Sequence, residues 1–269
     1  MTVPIAIGAV GGAAILAFLL LTLVRRAIGG PLLREPTRGT PMTMIVGTSF
    51  AVLLAFVTIA AFQTYNGAKT GARTEAVALL EMFRTAALFA VPDRDALRAD
   101  FVCYGRAVSV DEWHAMRNGR RSALPDHWIE TYRATFNQLA LSSPREQAGF
   151  EELLAEARNR TDGRRERLTE DTSSVPLPLW LVLILGGCAA VALQLSMADP
   201  REHLAVQGTM IAAVAAVVTA GLLLVNFLDH PYKQHTGSVQ PVELRQSLVM
   251  MHNQAPGLTT PCRVDGRPR

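Results

Sequence analysis

Hydrophobic positions along the chain follow two patterns that alternate in blocks. Residues 4–24, 44–62, 178–197 and 206–228 are nearly charge-free. Each run is roughly 19 to 23 residues long, the length a helix needs to cross a bilayer core of roughly 30 Å. Between the second and third runs, apolar residues recur three and four apart among charged ones, as in helices that bury one face. The pattern predicts an all-α membrane protein in which four transmembrane helices, in two pairs, flank a helical extramembrane domain. The expected segments are a first transmembrane helix at 1–24, an arginine-bearing cytoplasmic loop at 25–43 and a second helix at 44–64. The helical domain follows at 65–174, then helix three at 175–197, a short turn at 198–205, helix four at 206–228 and a C-terminal tail at 229–269.

Helix two sets up the rest. Past Tyr65-Asn66 the period continues through Ala76, Leu79, Leu80, Phe83, Ala87 and Leu88, with Gly67 and Gly71 as candidate joints. Pro92-Asp93 opens a further helix whose apolar face is Leu97, Phe101, Tyr104 and Val108. A short helix is expected to start near Val110 and to end at Asn118-Gly119. Asp126 reads as an N-cap ahead of Trp128, Tyr132, Phe136 and Leu139. Ser143-Pro144-Arg145-Glu146 reads as a capping box ahead of a helix burying Phe150, Leu153, Leu154 and Ala157. Residues 158–167 are almost wholly charged and are predicted to face solvent. Asp111-Glu112 and Glu151-Glu152 are read as acids on helix surfaces. A weakly amphipathic helix is expected around 242–251, before a tail with Pro and Gly.

Inside helix two, a wheel at 100° per residue places Thr48, Ala51, Ala55, Thr58, Phe62 and Asn66 on one face. Two readings stand: tight packing with threonines bonded back to their own helix, or a pore lining of small, weakly polar residues with Phe62 as a constriction. Phe50, Phe56 and Phe62 recur every six residues, about 240° of turn, so they form no stripe. In helix one, Gly8 and Gly12 form a small-xxx-small pair suited to a close helix contact. Gln194 and Asn226 are polar residues that each need a partner in lipid.

Composition refines this picture. Apolar residues make up 49% of the chain, bunched in the four runs, and the formal net charge is only +3, which gives no support to a nucleic-acid partner. Lysine occurs only at Lys69 and Lys233, and the arginine excess reads as the codon bias of a GC-rich bacterial genome. No basic residue precedes the first apolar run, whereas Arg25, Arg26, Arg34 and Arg38 follow it against one acid, Glu35. The positive-inside rule then puts the N-terminus outside and the 25–43 loop in the cytoplasm, so the helical domain and C-terminus are expected outside the cytoplasm.

Candidate chemistry is sparse. No phosphate-binding loop, nucleophile elbow, zinc-protease helix or dinucleotide fingerprint occurs, so neither an enzyme nor a cofactor is expected. His230, His235 and His252 match no metal-ligand spacing and are read as solvated. Cys188 reads as a small packing residue inside helix three. Cys103 and Cys262 are the cysteines outside the apolar runs, on the same side of the membrane. The alternatives are a disulfide, which the oxidising side would preserve, and two free thiols. The expected partners are the lipid bilayer, further copies of the chain and, on the channel reading, an inorganic ion.

Several local sequences carry a resemblance. Tyr65-Asn66 followed by Glu75-Ala76, then Tyr104, Val108, Glu112-Trp113 and Met116, and Leu228-Asp229 with Pro231-Tyr232, resemble the bestrophin-like family of bacterial membrane proteins. The resemblance covers most of the chain: two spans, a helical region, two more spans and a tail. It implies Tyr65, Glu75, Tyr104, Glu112, Trp113, Asp229 and Pro231 as family-motif positions. The family's name points further to bestrophins, pentameric chloride channels lined by their second span, which keep both termini and their helical domain in the cytoplasm. The resemblance and the charge pattern therefore imply opposite orientations. A non-conducting membrane sensor or scaffold acting through the helical domain is the alternative to a channel.

Overall fold

The structure, a computed structural model, describes residues 3–28, 36–169, 175–233 and 236–269. Their packing forms two compact units, one of residues 1–64, 173–230 and 234–237, the other of 65–172, 231–233 and 238–269.

In the first unit α1 (Val3–Ile28), the early part of α2 (Pro36–Thr85), α7 (Leu177–Ser196) and α8 (Leu204–Leu228) are apolar helices. Among the described residues these are the four helices long and apolar enough to cross a membrane. A small core joins Ala17 and Leu21 of α1 to Ile211 and Ala215 of α8. Close approach depends on glycine at particular points. A β-carbon on Gly208 would lie 2.2 Å from the Phe18 ring, and one on Gly221 would lie 2.6 Å from Leu54. Gly8 and Gly12, expected to make a helix contact, have no atom of the described residues within 4 Å of such a β-carbon, so that face of α1 is open among them. Arg25 ends α1 against the α7–α8 turn: its Nε donates to Gln207 at 3.1 Å and its Nη2 to the Glu202 carbonyl at 3.0 Å. Phe50 is buried against Gly186 and Gly187. Cys188 is exposed on α7 and not packed inside, while Gln194 is half-buried and Asn226 exposed. Gly29, Gly30, Pro31, Leu32, Leu33, Arg34, Glu35 and His235 lie outside the described residues.

The second unit is built on the remainder of α2, which is one unbroken helix of 50 residues, about 75 Å long at 1.5 Å per residue. Gly67 and Gly71 are helical positions within it and not joints. A 3₁₀ turn (Ala86–Leu88) ends it. The tighter winding buries Ala86 and leaves Ala87 exposed, which shifts the expected stripe by one residue. The next helix, α3 (Val91–Arg106), passes directly through a π-helical segment (Ala107–Glu112) into α4 (Trp113–Arg117), so the separate helix expected to start near Val110 is instead continuous with α3. Helix α5 (Leu124–Gln138) begins two residues before Asp126, which therefore sits in its first turn and is not its cap. The box opening α6 (Pro144–Thr169) is formed: Glu146 accepts from the Ser143 backbone N–H at 2.9 Å, and its own N–H donates to Ser143 Oγ at 3.2 Å.

Leu97, Phe101, Tyr104, Val108, Trp128, Tyr132 and Phe136 meet in the core of this unit with Leu79 and Phe83. Helix α9 (Val242–Gln254) joins them through Leu244 and Met251. The tail beyond α9 is docked. Cys262 is bonded to Cys103, Trp128 Nε1 donates to the Gly266 carbonyl at 2.7 Å, and Arg106 donates to Thr260 Oγ1 at 3.0 Å. Gly266 has φ of 83°, and a β-carbon there would fall 2.3 Å from the Ala107 nitrogen, so only glycine fits.

Candidate functional site

Two features could carry function, one on α2 and one inside the helical unit. On α2, Phe50, Val57, Ala61, Thr64 and Ala68 form the buried stripe. Thr48, Ala51, Ala55, Phe62 and Asn66 are exposed, and Thr58 is half-buried. Thr58 Oγ1 bonds back to the Leu54 carbonyl at 2.7 Å, which satisfies its hydroxyl within its own helix. Phe62 is 54% exposed and Phe56 68%, whereas Phe50 is buried, so the Phe50 ring occupies a different face from the other two. The exposed face is charge-free and has no partner among the described residues.

The helical unit holds a buried cluster of charge. Helices α2 and α6 cross at two glycines. A β-carbon on Gly71 would sit 2.7 Å from the Arg167 nitrogen, and one on Gly163 would sit 2.9 Å from the Gly71 carbonyl oxygen. With the backbones this close, side chains three and four residues away must meet. On α6 these are Arg160 and Arg167, with Arg164 on the same helix face between them at spacings of four and three. On α2 it is Glu75, four residues after Gly71.

Arg167 is fully buried and grips both buried acids. Its Nε bonds Glu75 Oε2 at 2.6 Å, its Nη2 bonds Glu75 Oε1 at 3.2 Å and also Glu112 Oε2, and its Cζ lies 5.0 Å from the centre of the Trp113 ring. Arg164 holds the other Glu112 oxygen at 2.7 Å and also bonds Asp126. Tyr104 donates its hydroxyl to Glu75 at 2.5 Å and accepts from Arg160 at 3.3 Å. Arg160 lies over the rings of Tyr104 and Tyr132 at 5.1 and 5.8 Å. Burial, reinforced by the Glu75 charge, lifts the Tyr104 hydroxyl well above the usual phenol range, so it stays a donor. Burial alone would weaken the charge on Arg167, but Glu75 and Glu112 outweigh it and push its pKa above the ordinary arginine value.

The π segment aims Glu112 into this cluster. Continued as α-helix, Glu112 would lie roughly 80° around the axis from Tyr104. The wider turn, with Trp113 N–H bonded to the Val108 carbonyl five residues back, swings it inward.

Glu112 and the arginines of residues 158–167 correct the sequence reading. Glu112 is 0% exposed and not a surface acid. Residues 158–167 do not simply face solvent, because Arg160, Gly163 and Arg167 are buried. The signal that could have found them was present: arginines at 160, 164 and 167 around Gly163, opposite a Gly71-x-x-x-Glu75 pair. Of the motif positions, Glu75, Tyr104, Glu112 and Trp113 converge here, and Tyr65 packs against the core of the same unit. Pro231 accepts the Val239 N–H at 2.8 Å, while Asp229, in the other unit, accepts the Val175 N–H at 3.0 Å. His230 is half-buried and its Nδ1 lies 3.2 Å from the Asn226 carbonyl, and His252 is exposed. No cluster of metal-ligating side chains occurs among the described residues.

Comparisons with known proteins agree with this architecture. The model of the bestrophin-like domain matches residues 11–241. Two solved structures of single-substitution variants of a bacterial bestrophin homologue from Klebsiella pneumoniae share the fold. One has a TM-score of 0.70 at 12% identity, covering 92% of this chain and 97% of the other. The second has a TM-score of 0.69 at 12% identity, covering 91% and 98%. A variant described as a membrane protein matches with a TM-score of 0.68 at 13% identity over 91% and 97%. No curated protein matches the sequence significantly. The fold and its four apolar helices define an all-α membrane protein. The chain belongs to the bestrophin-like family.

Proposed function

We propose that the protein is an oligomeric, channel-like membrane protein in which α2 lines a path for small inorganic ions. The observation that carries this reading is the exposed face of α2. Thr48, Ala51, Ala55, Phe62 and Asn66 are open in the single chain yet bear no charge and are less greasy than a lipid-facing surface requires. Further copies of the chain would enclose that face, and the open Gly8–Gly12 face of α1 offers a place for helices of neighbouring copies to approach. Phe62 would narrow the path and hold it dry until opened. The shared fold with bacterial bestrophin homologues supports the same reading. The helical unit and the C-terminus lie outside the cytoplasm, a placement supported by the arginines after α1 and by the Cys103–Cys262 bond.

The test is the mass of the purified protein in detergent, followed by bilayer recording. An oligomer is expected whose basal current rises in Phe62→Ala more than in Phe56→Ala. A folded oligomer that passes no current in any form would leave a sensor or scaffold in place of a channel, and a monomer would end the pore reading outright.

A further inference from the structure

A cleft of about 490 Å³ lies between α5 and α6 in the helical unit. Arg121, Arg133, Arg160, Arg164 and Arg165 line it against one acid, Asp126, which is itself bonded to Arg164. Among the described residues Arg121, Arg133 and Arg165 have no ion-pair partner and stand exposed. Arg160 is 2% exposed, and its Nε and that of Arg164 have no hydrogen-bond partner. Buried donors are nearly always satisfied, so two orphaned ones in the wall of a basic cleft call for an acceptor. The inner wall is also rigid. Tyr104 and Thr161 hold the Arg160 guanidinium, and Glu112 holds that of Arg164.

We propose that this cleft binds a small phosphate-bearing anion. The guanidinium fork matches the paired oxygens of phosphate, and each such bond is charge-assisted. A monatomic anion would leave most of five forks spread around this volume unused. Buried Arg160 and half-buried Arg164 supply fixed charge, while Arg121, Arg133 and Arg165 can close over the ligand from outside. Nothing here depends on conduction. The phosphate could belong to a soluble metabolite or to a lipid headgroup.

The experiment is calorimetric titration of the full chain in neutral detergent, at constant ionic strength, with inorganic pyrophosphate and with water-soluble short-chain phosphatidylglycerol. Saturable binding of at least one probe is expected. The double variant Arg133→Gln/Arg165→Gln, which removes two exposed side chains, should bind that probe at least about tenfold more weakly and keep the wild-type unfolding temperature. Tighter binding of pyrophosphate identifies a soluble ligand, and tighter binding of the lipid identifies a headgroup. No saturable binding of either probe overturns the proposal. So does unchanged affinity in the folded double variant, or equal binding of chloride at the same ionic strength.

Discussion

Gly163 of α6 approaches Glu75 of α2 so closely that a β-carbon on the glycine would lie 2.5 Å from the Glu75 backbone nitrogen. Backbone, not a flexible side chain, occupies that space, so the neighbour cannot yield by changing rotamer. Gly163→Ala should therefore force the helices apart and destabilise the helical unit by about 3 kcal/mol, at the upper end of ordinary overpacking. Thermal or denaturant unfolding of the purified protein measures it. Unchanged stability would mean that the crossing is looser than described.

Arg167 neutralises two buried carboxylates at once. Arg167→Leu should cost about 3–5 kcal/mol, because it strands Glu75 without a cation and leaves Glu112 with Arg164 alone. Arg167→Lys should recover little of this, since one ammonium cannot reproduce the forked contact with both acids. Adding Glu75→Gln and Glu112→Gln to Arg167→Leu should be less damaging than Arg167→Leu alone. A simple sum of effects would deny the coupling.

Asp100 gives the helical unit a pH dependence. Burial raises its carboxyl from 3.8 to about 6, with the bond from Thr135 pulling weakly the other way. Between these values the folded chain keeps a proton that the unfolded chain has released. The contribution of Asp100 to stability is therefore greatest at low pH, falls as pH rises from about 4 to about 6, and is level above that. Asp100→Asn should flatten this window and stabilise the protein at pH 7 by about 1–2 kcal/mol. Unfolding curves of both proteins from pH 4 to 8 decide it, and an advantage of Asp100→Asn that shrinks as pH rises across the window would contradict the sign.

The Cys103–Cys262 bond spans a separation of 159 residues. Closing such a loop contributes up to about 5 kcal/mol in the chain-entropy model. Cys103→Ser/Cys262→Ser should lower stability by that order, but the tail should remain docked near room temperature through Trp128–Gly266 and Arg106–Thr260. Peptide mapping without reductant, on protein alkylated during lysis, should recover the linked pair. Two separately alkylated cysteines would refute the bond and weaken the placement of the helical unit outside the cytoplasm.

The long apolar runs were legible because length and lack of charge follow from the bilayer alone. The core residues Leu97, Phe101, Trp128 and Tyr132 were legible from their period. The buried ion cluster was not, since periodicity treats every arginine and glutamate as a surface residue. Its burial is decided by two glycines 92 residues apart, Gly71 and Gly163, whose meeting no local pattern encodes. Glu112 was hidden for another reason. A π turn rotates it inward, and a wheel drawn at 100° per residue points it elsewhere. On α2 the sequence located the weakly polar face, but only the structure reveals that this face is open while Phe50 is enclosed.

The bond between Cys103 and Cys262 also makes the chain a covalent ring with a long N-terminal arm, which carries α1 and α2, and a short C-terminal one. Helices α5, α6, α7 and α8 all lie on the ring, together with both partners of the Arg164–Glu112 pair. A single cut anywhere between the two cysteines leaves one molecule, whose pieces part only after reduction. The ring can close only when α7 and α8 have both been synthesised, so the bond records that the second pair of apolar helices was completed before the helical unit was sealed.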